Sequence, residues 1–384
     1  NETIMKILID AHLSENKLTG IGRYLNGLIK ALLKQDKTNE YFLLVQEGIV
    51  QTHPLSQLHA PNLTKIPISL AGLSFRQHVV IPQILSKFKP DIYHHPHFDL
   101  PLFHNIPSVV TIHDLKYIRN PHFFPGLSWV KRWYMKQMLA NSITRAQKVI
   151  TVSKNTKHDL IDLFNISEEK IKVIYHGLEE RFRKKFDFNQ MAQVLNKHGI
   201  FGKFILFVGE RRPHKNIINL IKAFKLVKSN LHYSLKLVII GKNYANYRDP
   251  EIEIARQGLE GDVHIGDFVT DEELVAFYNM TELLILPSYY EGFGFPLIEA
   301  MNCRVPVIAA NNTSMPEIVG DAGLLVNPEY PEDIAAKILS ILKDNQLREK
   351  LILKGLKNIK KFTWENTASQ TLQVYKQIYS DNEH

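Results

Sequence analysis

Short apolar runs recur along the chain and alternate with stretches whose apolar positions fall three and four apart. Residues 5–10, 41–45, 91–95, 108–113, 149–153 and 171–175 read as short strands. The purely apolar ones have the composition of strands buried on both faces. Between them lies helical spacing, at Leu25, Leu28, Ile29 and Leu32 and over 75–88, 128–144 and 155–164. The alternation restarts at 204–208. It runs on through a helix from Ile217, then 237–241, 263–269, 283–286, 316–319, 324–326 and 333–342. This order predicts parallel sheets wrapped on both faces, with ligands at the carboxyl ends of the strands. Two such series in 384 residues predict two Rossmann-like α/β domains, 1–180 and 190–363. The basic, aperiodic stretch 179–188 reads as the crossing between them.

The junction after 283–286 is the richest in chemistry. It reads Pro287-Ser-Tyr-Tyr-Glu291-Gly292-Phe293-Gly294-Phe295-Pro296-Leu297-Ile-Glu299. Pro296 suits a first helical position, where a backbone N–H has no partner to lose. Glycines let a ligand approach the backbone, and amides at a helix start favour an anion. Glu291 and Glu299 flank that anion site. Carboxylates there suit the hydroxyls of a sugar or ribose better than the anion itself. A sugar carrying a phosphate meets both demands.

The junction after 204–208 reads Gly209-Glu210-Arg211-Arg212-Pro213-His214-Lys215-Asn216. Three cations at a strand-to-helix turn predict a diphosphate site. Lys242 stands at the tip of the next strand. Near the N-terminus, Thr19-Gly20-Ile21-Gly22-Arg23-Tyr24 precedes the first helical pattern. A dinucleotide fold wants its glycines directly after the strand and an acid at the end of the next one. Here the insert 11–19 is too long and Glu40 precedes its strand, which argues against a dehydrogenase.

His113 and Asp114 end an apolar strand. His113 reads either as a functional group at the strand end or as a hydrogen-bonded buried histidine, with Asp114 capping the turn. His94, His95 and His97 fit no zinc spacing and no cysteine joins them, so they read as strand-end residues near an acceptor. The stretch 123–148 carries Lys131, Arg132, Lys136, Arg145 and Lys148 with Trp129, Trp133 and Tyr134. That pattern fits an anionic membrane surface, or a core-facing stripe with a solvated basic face.

Composition narrows the picture. The chain is 45% hydrophobic and 22% charged, with no apolar run long enough to span a bilayer. The single cysteine, Cys303, excludes an internal disulfide framework and suits a reducing cytoplasm. Asn1-Glu2-Thr3 leads straight into a strand, which predicts no signal peptide. A net charge of +8 favours anionic partners. Basic aromatic platforms for single strands are not evident, so nucleic acid is not the expected partner.

The stretch from Glu291 to Glu299 resembles the Glu-x7-Glu signature of retaining glycosyltransferases of family four, which have the GT-B fold. The run Thr111-Ile-His113-Asp114-Leu-Lys-Tyr117 resembles the mannosyltransferase-like branch of that family. The resemblance implies two Rossmann-like domains facing across a cleft, with a C-terminal helix, 364–384, crossing back to the first. It implies that Lys215 and an arginine hold the leaving diphosphate. Arg211 is the first candidate for that arginine and Arg212 the alternative, because Glu210 stands where many members have it. Glu299 would then bind ribose, Glu291 the sugar hydroxyls, and Gly20 and Gly22 would cover the phosphates. His113 would meet the transferred sugar, and Phe268, within 267–269, would border the nucleobase. The donor is a nucleotide sugar, with GDP-mannose the best match, and the acceptor a glycan or a lipid-linked sugar. No resident cofactor and no metal are implied. The protein would be cytoplasmic, with peripheral contact to an anionic membrane. Two rivals remain on the residues alone: a nucleotide-sugar epimerase of the same fold, and a non-catalytic binding protein.

Overall fold

The computed structural model describes residues 4–14, 20–49, 51, 53–71, 74–183, 187–244 and 247–382. Asn1-Glu2-Thr3, most of the insert before Gly20 including Thr19, and 184–186 of the expected crossing lie outside them. The chain divides into two compact units. The first comprises Asn1–Pro121, Pro125–Gly177 and Thr363–His384, and the second His122–Phe124 with Leu178–Phe362.

In the first unit the strands are β1 (Lys6–Asp10), β2 (Glu40–Gln46), β3 (Leu63–Ile68), β4 (Ile92–His95), β5 (Ser108–Ile112), β6 (Lys148–Thr151) and β7 (Ile171–Val173). All pair in parallel, in the order β3-β2-β1-β4-β5-β6-β7. Ile7, Leu8 and Ile9 of β1 are buried, as a two-faced strand requires. Strand β3 goes beyond the six strands expected. Its burial is broken and Pro67 interrupts its donors, which an edge strand tolerates and a central one does not.

Helix Trp364–Asn382 packs in this unit against helix Gly20–Gln35. The contact is close enough that a Cβ on Gly27 would lie 2.1 Å from the Trp364 ring. A Cβ on Gly177 would lie 2.2 Å from the Trp364 backbone nitrogen.

The second unit has β8 (Phe204–Val208), β9 (Lys236–Ile240), β10 (Val263–Gly266), β11 (Leu284–Leu286), β12 (Val307–Ala310) and β13 (Gly323–Val326). They are parallel, in the order β10-β9-β8-β11-β12-β13. Its core is aromatic: Phe204, Phe207, Phe224, Phe277 and Tyr278 are fully buried. Three residues from the first half of the chain belong to it. Phe123 stacks on Tyr289 at 5.1 Å between centroids, and Phe124 lies 5.3 Å from His214. Among the described residues no helix is long and apolar enough to cross a membrane.

Candidate active site

In the second unit the strand order reverses between β8 and β11, because β9 leaves on one side and β11 on the other. Loops diverge there and leave a crevice at the strand ends. Lys215 follows β8 and Glu291 follows β11, and the two meet: Lys215 Nζ lies 2.6 Å from Glu291 Oε1. The approach is set by backbone. Tyr289 N–H donates to the His214 carbonyl at 2.8 Å. Asn216, at φ 58°, donates through its amide to the carbonyls of Pro287 at 3.0 Å and Pro328 at 2.7 Å. Asparagine is one of the few side-chain-bearing residues suited to that left-handed position.

Beyond Glu291 the chain turns through Gly292, Phe293 and Gly294 into helix Phe295–Asn302, with Pro296 in its first turn as expected. Gly294 sits at φ 110°, where a side chain would be strained. Ser314 Oγ fixes the turn, lying 2.9 Å from the Glu291 carbonyl and 3.0 Å from that of Phe293. Leu297 is buried, packing the helix start downward. Sequence reasoning overlooked Asn216, Ser288 and Ser314. Only the asparagine beside Lys215 offered a signal.

Three expectations need correction. Arg211 does not face the crevice. It is buried, pairing with Glu251 at 3.2 Å and with Asp267, and its N–H donates to the Lys242 carbonyl. A guanidinium shared by two carboxylates ties the loops after β8 and β10 together. Arg212 lies 3.3 Å above the Tyr244 ring and donates to Glu210. Lys215 is therefore the cation that reaches Glu291. Glu299 is 2% exposed and accepts the Tyr278 hydroxyl at 2.7 Å, which orients its carboxylate. Gly20 and Gly22 stand in the first turn of helix Gly20–Gln35 rather than in a loop before it. Lys242 and Phe268 are exposed beyond β9 and β10.

The first unit has its own reversal, between β1 and β4. Asp10 ends β1, and His94 and His95 end β4. His95 Nδ1 lies 3.2 Å from Asp10 Oδ2 and its Nε2 lies 3.1 Å from Asp99 Oδ1. Burial opposes charge on His95, but the two carboxylates outweigh it and raise its pKa to about 9. Asp10 also accepts from Tyr93 at 2.7 Å, and His97 pairs with Asp99. His95, His97 and Asp99 each bring a ligand atom within 4.8 Å of the others. His95 and His97 both hydrogen-bond Asp99 Oδ1, so the three groups are already partnered within the cluster. His94 and His95 are wholly buried, which corrects their reading as acceptor contacts.

His113 follows β5. Its Nε2 lies 3.2 Å from the Pro96 carbonyl, which can only accept, so that nitrogen carries the proton. Its ring stacks on His176 at 5.5 Å and meets Tyr24 edge-on at 4.9 Å. Burial lowers its pKa to about 4. It is a neutral ring near pH 7, beside Asp114, whose carboxylate is held by Lys116 at 3.1 Å.

Comparison with known proteins agrees with this layout. The family model "Glycosyltransferase Family 4" matches residues 18–182, and "Glycosyl transferases group 1" matches 193–358. The O-antigen chain mannosyltransferase B of Escherichia coli is 31% identical over 97% of this chain and 100% of its own length. The serotype-specific mannosyltransferase WbdA of the same species is 26% identical over 73% of the chain, which spans only 35% of that longer protein. Among solved structures, Anabaena HepE in complex with UDP-glucose superposes with a TM-score of 0.77 at 19% identity, covering 97% of this chain and 100% of that one. At that identity the likeness establishes the fold. The strand orders, the chemistry at the β8/β11 reversal and the full-length relative lead to one assignment: the chain belongs to the GT-B glycosyltransferases of family four.

Proposed function

We propose that the protein is a retaining mannosyltransferase. It would move mannose from GDP-mannose to a glycan or lipid-linked acceptor in surface polysaccharide or glycolipid assembly. The meeting of Lys215 and Glu291 at the β8/β11 reversal, beside the start of helix Phe295–Asn302, carries this reading. Breaking a sugar–phosphate bond builds negative charge on the diphosphate and positive charge on the anomeric carbon. Lys215 and the positive end of the helix stabilise the first. Glu291 accepts sugar hydroxyls, and Glu299, oriented by Tyr278, serves the ribose. The lysine and helix start supply the charge compensation that a metal would otherwise give, and the sequence holds no Asp-x-Asp. The names of the relatives support mannose as the sugar.

Thermal-shift screening against GDP-, UDP- and ADP-sugars, followed by product analysis by NMR with and without chelator, tests the proposal. Stabilisation by GDP-mannose and an α-linked product in EDTA are expected. An inverted product, or transfer lost with EDTA, would overturn the mechanism.

A second proposal concerns place of action. Trp129 is 78% exposed, Trp133 59% and Phe75 75%. Phe75 lies 5.5 Å from the ring of Tyr134, the neighbour of Trp133, and Trp129 and Trp133 stand about one helical turn apart. Lys131, Arg132 and Lys136 stand among them. Only the later part of this helix turns an apolar stripe inward, through Met135, Met138, Leu139 and Ile143. Exposed indoles among cations suit an anionic lipid surface. Flotation with phosphatidylglycerol vesicles, and its loss in a Trp129→Ser/Trp133→Ser variant, is the expected result. Equal recovery of both proteins would count against it.

A further inference from the structure

Lys215 is assigned above to the departing diphosphate, yet its ammonium already has a partner in Glu291. Both side chains are 14% exposed, so water screens the pair weakly. The contact does not depend on two loose surface chains. Glu291 Oε1 also accepts the Ser288 hydroxyl at 2.8 Å. Its backbone N–H reaches Thr313 Oγ1 at 3.3 Å, and its carbonyl is held by Ser314. Thr313 itself adopts φ 51°, a costly conformation for a β-branched residue. On the other side Asn216 pins the turn that carries Lys215. The fold holds both charges in place.

From this geometry we infer that Lys215 and Glu291 form an exchangeable pair that makes the site prefer the intact sugar donor to its nucleoside diphosphate product. The inference rests on the donor-site reading above. Two anions, the carboxylate and the diphosphate, compete for one ammonium. When a nucleotide sugar binds, the diphosphate takes Lys215 while sugar hydroxyls donate to Glu291. Each charged group exchanges one partner for another. A nucleoside diphosphate alone has no hydroxyls for Glu291. Taking Lys215 then leaves a largely buried carboxylate without its counter-charge, which is the unfavourable half of breaking an ion pair. Once the sugar has left, Glu291 reclaims Lys215 and the product loosens. Glu291 thereby acts on product release as well as on sugar recognition.

The test is calorimetric titration of wild type, Glu291→Gln, Lys215→Ala and the double variant. The probes are GDP and GDP-2-deoxy-2-fluoromannose, with UDP and ADP in parallel. Wild type should bind the intact analogue more tightly than GDP. Glu291→Gln keeps the shape and removes the charge, so it should bind GDP about tenfold more tightly and reverse that preference. Lys215→Ala should weaken GDP binding, and the gain from Glu291→Gln should vanish in the double variant. If Lys215→Ala weakens GDP but Glu291→Gln leaves it unchanged or weaker, the exchange is wrong and the donor site stands. If Lys215→Ala leaves every nucleotide unaffected, the donor site is wrong and the exchange falls with it. The wild-type comparison needs no variant: tighter binding of GDP than of the analogue would by itself overturn the inference.

Discussion

Acidification should weaken the first unit, through histidines that the fold keeps uncharged. His94 is fully buried between Tyr375 and Thr111, at 2.5 and 2.8 Å, and burial lowers its pKa from 6.5 to about 3. Burial likewise lowers His113 to about 4. A histidine whose folded pKa lies below its unfolded value contributes stability that is whole above 6.5. It is lost as pH falls towards the folded pKa, because the unfolded chain then binds the extra proton. By about pH 5 each of these two groups removes about 2 kcal/mol. His95 works the other way. Its pKa is raised to about 9, so its contribution is fully present below 6.5 and is lost as pH rises through 9. Moving from about pH 7.5 to 5 therefore returns about 1.4 kcal/mol through His95. From these three groups a net loss of about 3 kcal/mol remains, to which the lowered pKa of His104 adds in the same direction, a large share of a typical domain stability of about 5–15 kcal/mol. His176, also held neutral by burial, acts in the same direction.

The assay is direct because all three tryptophans, Trp129, Trp133 and Trp364, lie in the first unit. Urea unfolding followed by tryptophan emission reports that unit without the other. His113→Gln should reduce the loss between the two pH values by about 2 kcal/mol. An unchanged pH dependence in that variant, or a wild-type midpoint that does not fall on acidification, would refute the assignment of these rings as buried and neutral.

Lys215→Ala should lower turnover by about 100-fold or more while the protein stays folded, since a preorganised cation acts mainly on the departing charge; wild-type rates would remove it from the site. Tyr278→Phe leaves the buried Glu299 short of a donor and should cost about 1–3 kcal/mol of stability, read from chemical denaturation; an unchanged midpoint would show that Tyr278 does not support this carboxylate. Gly27→Ala forces a methyl into the Trp364 ring and should cost about 1–3 kcal/mol, visible as an earlier tryptophan transition. If the transition does not move, the two helices are not packed as closely as the structure has them.

Much of this architecture is legible in the chain because parallel α/β proteins write each element locally. Runs such as Phe204–Val208 are apolar without alternation, and each is followed by a helix with its own start signal. Strands β3 and β12 escaped for physical reasons. The first is an edge strand interrupted by Pro67. The second, Val307–Ala310, is four residues long and follows directly on a helix and its turn. Side-chain partners were harder still. Arg211 and Arg212 are adjacent and chemically alike. What separates them is Glu251 and Asp267, 40 and 56 positions away, which claim Arg211 for a structural tie. Lys215 pairs across 76 positions. No local pattern records such distances.

The strand orders explain why the charged residues collect where they do. In each unit the first strand lies inside the sheet, and the chain builds outward from it on both sides. The loops after that strand and its later neighbour diverge, and the crevice they leave is where polar groups can gather beside a buried sheet. At the β1/β4 reversal the fold answers the burial of Asp10 and Asp99 with a protonated His95 and with hydrogen bonds from Tyr93 and His97. At the β8/β11 reversal it sets one lysine against one glutamate, both still partly exposed and beside a helix start that favours anions. Charges buried as completely as these have little reason to exchange partners. An ion pair at the edge of solvent, with a second attraction for anions beside it, can do so. That difference in exposure, rather than the number of charges, is why the proposed nucleotide-sugar site lies in the second unit.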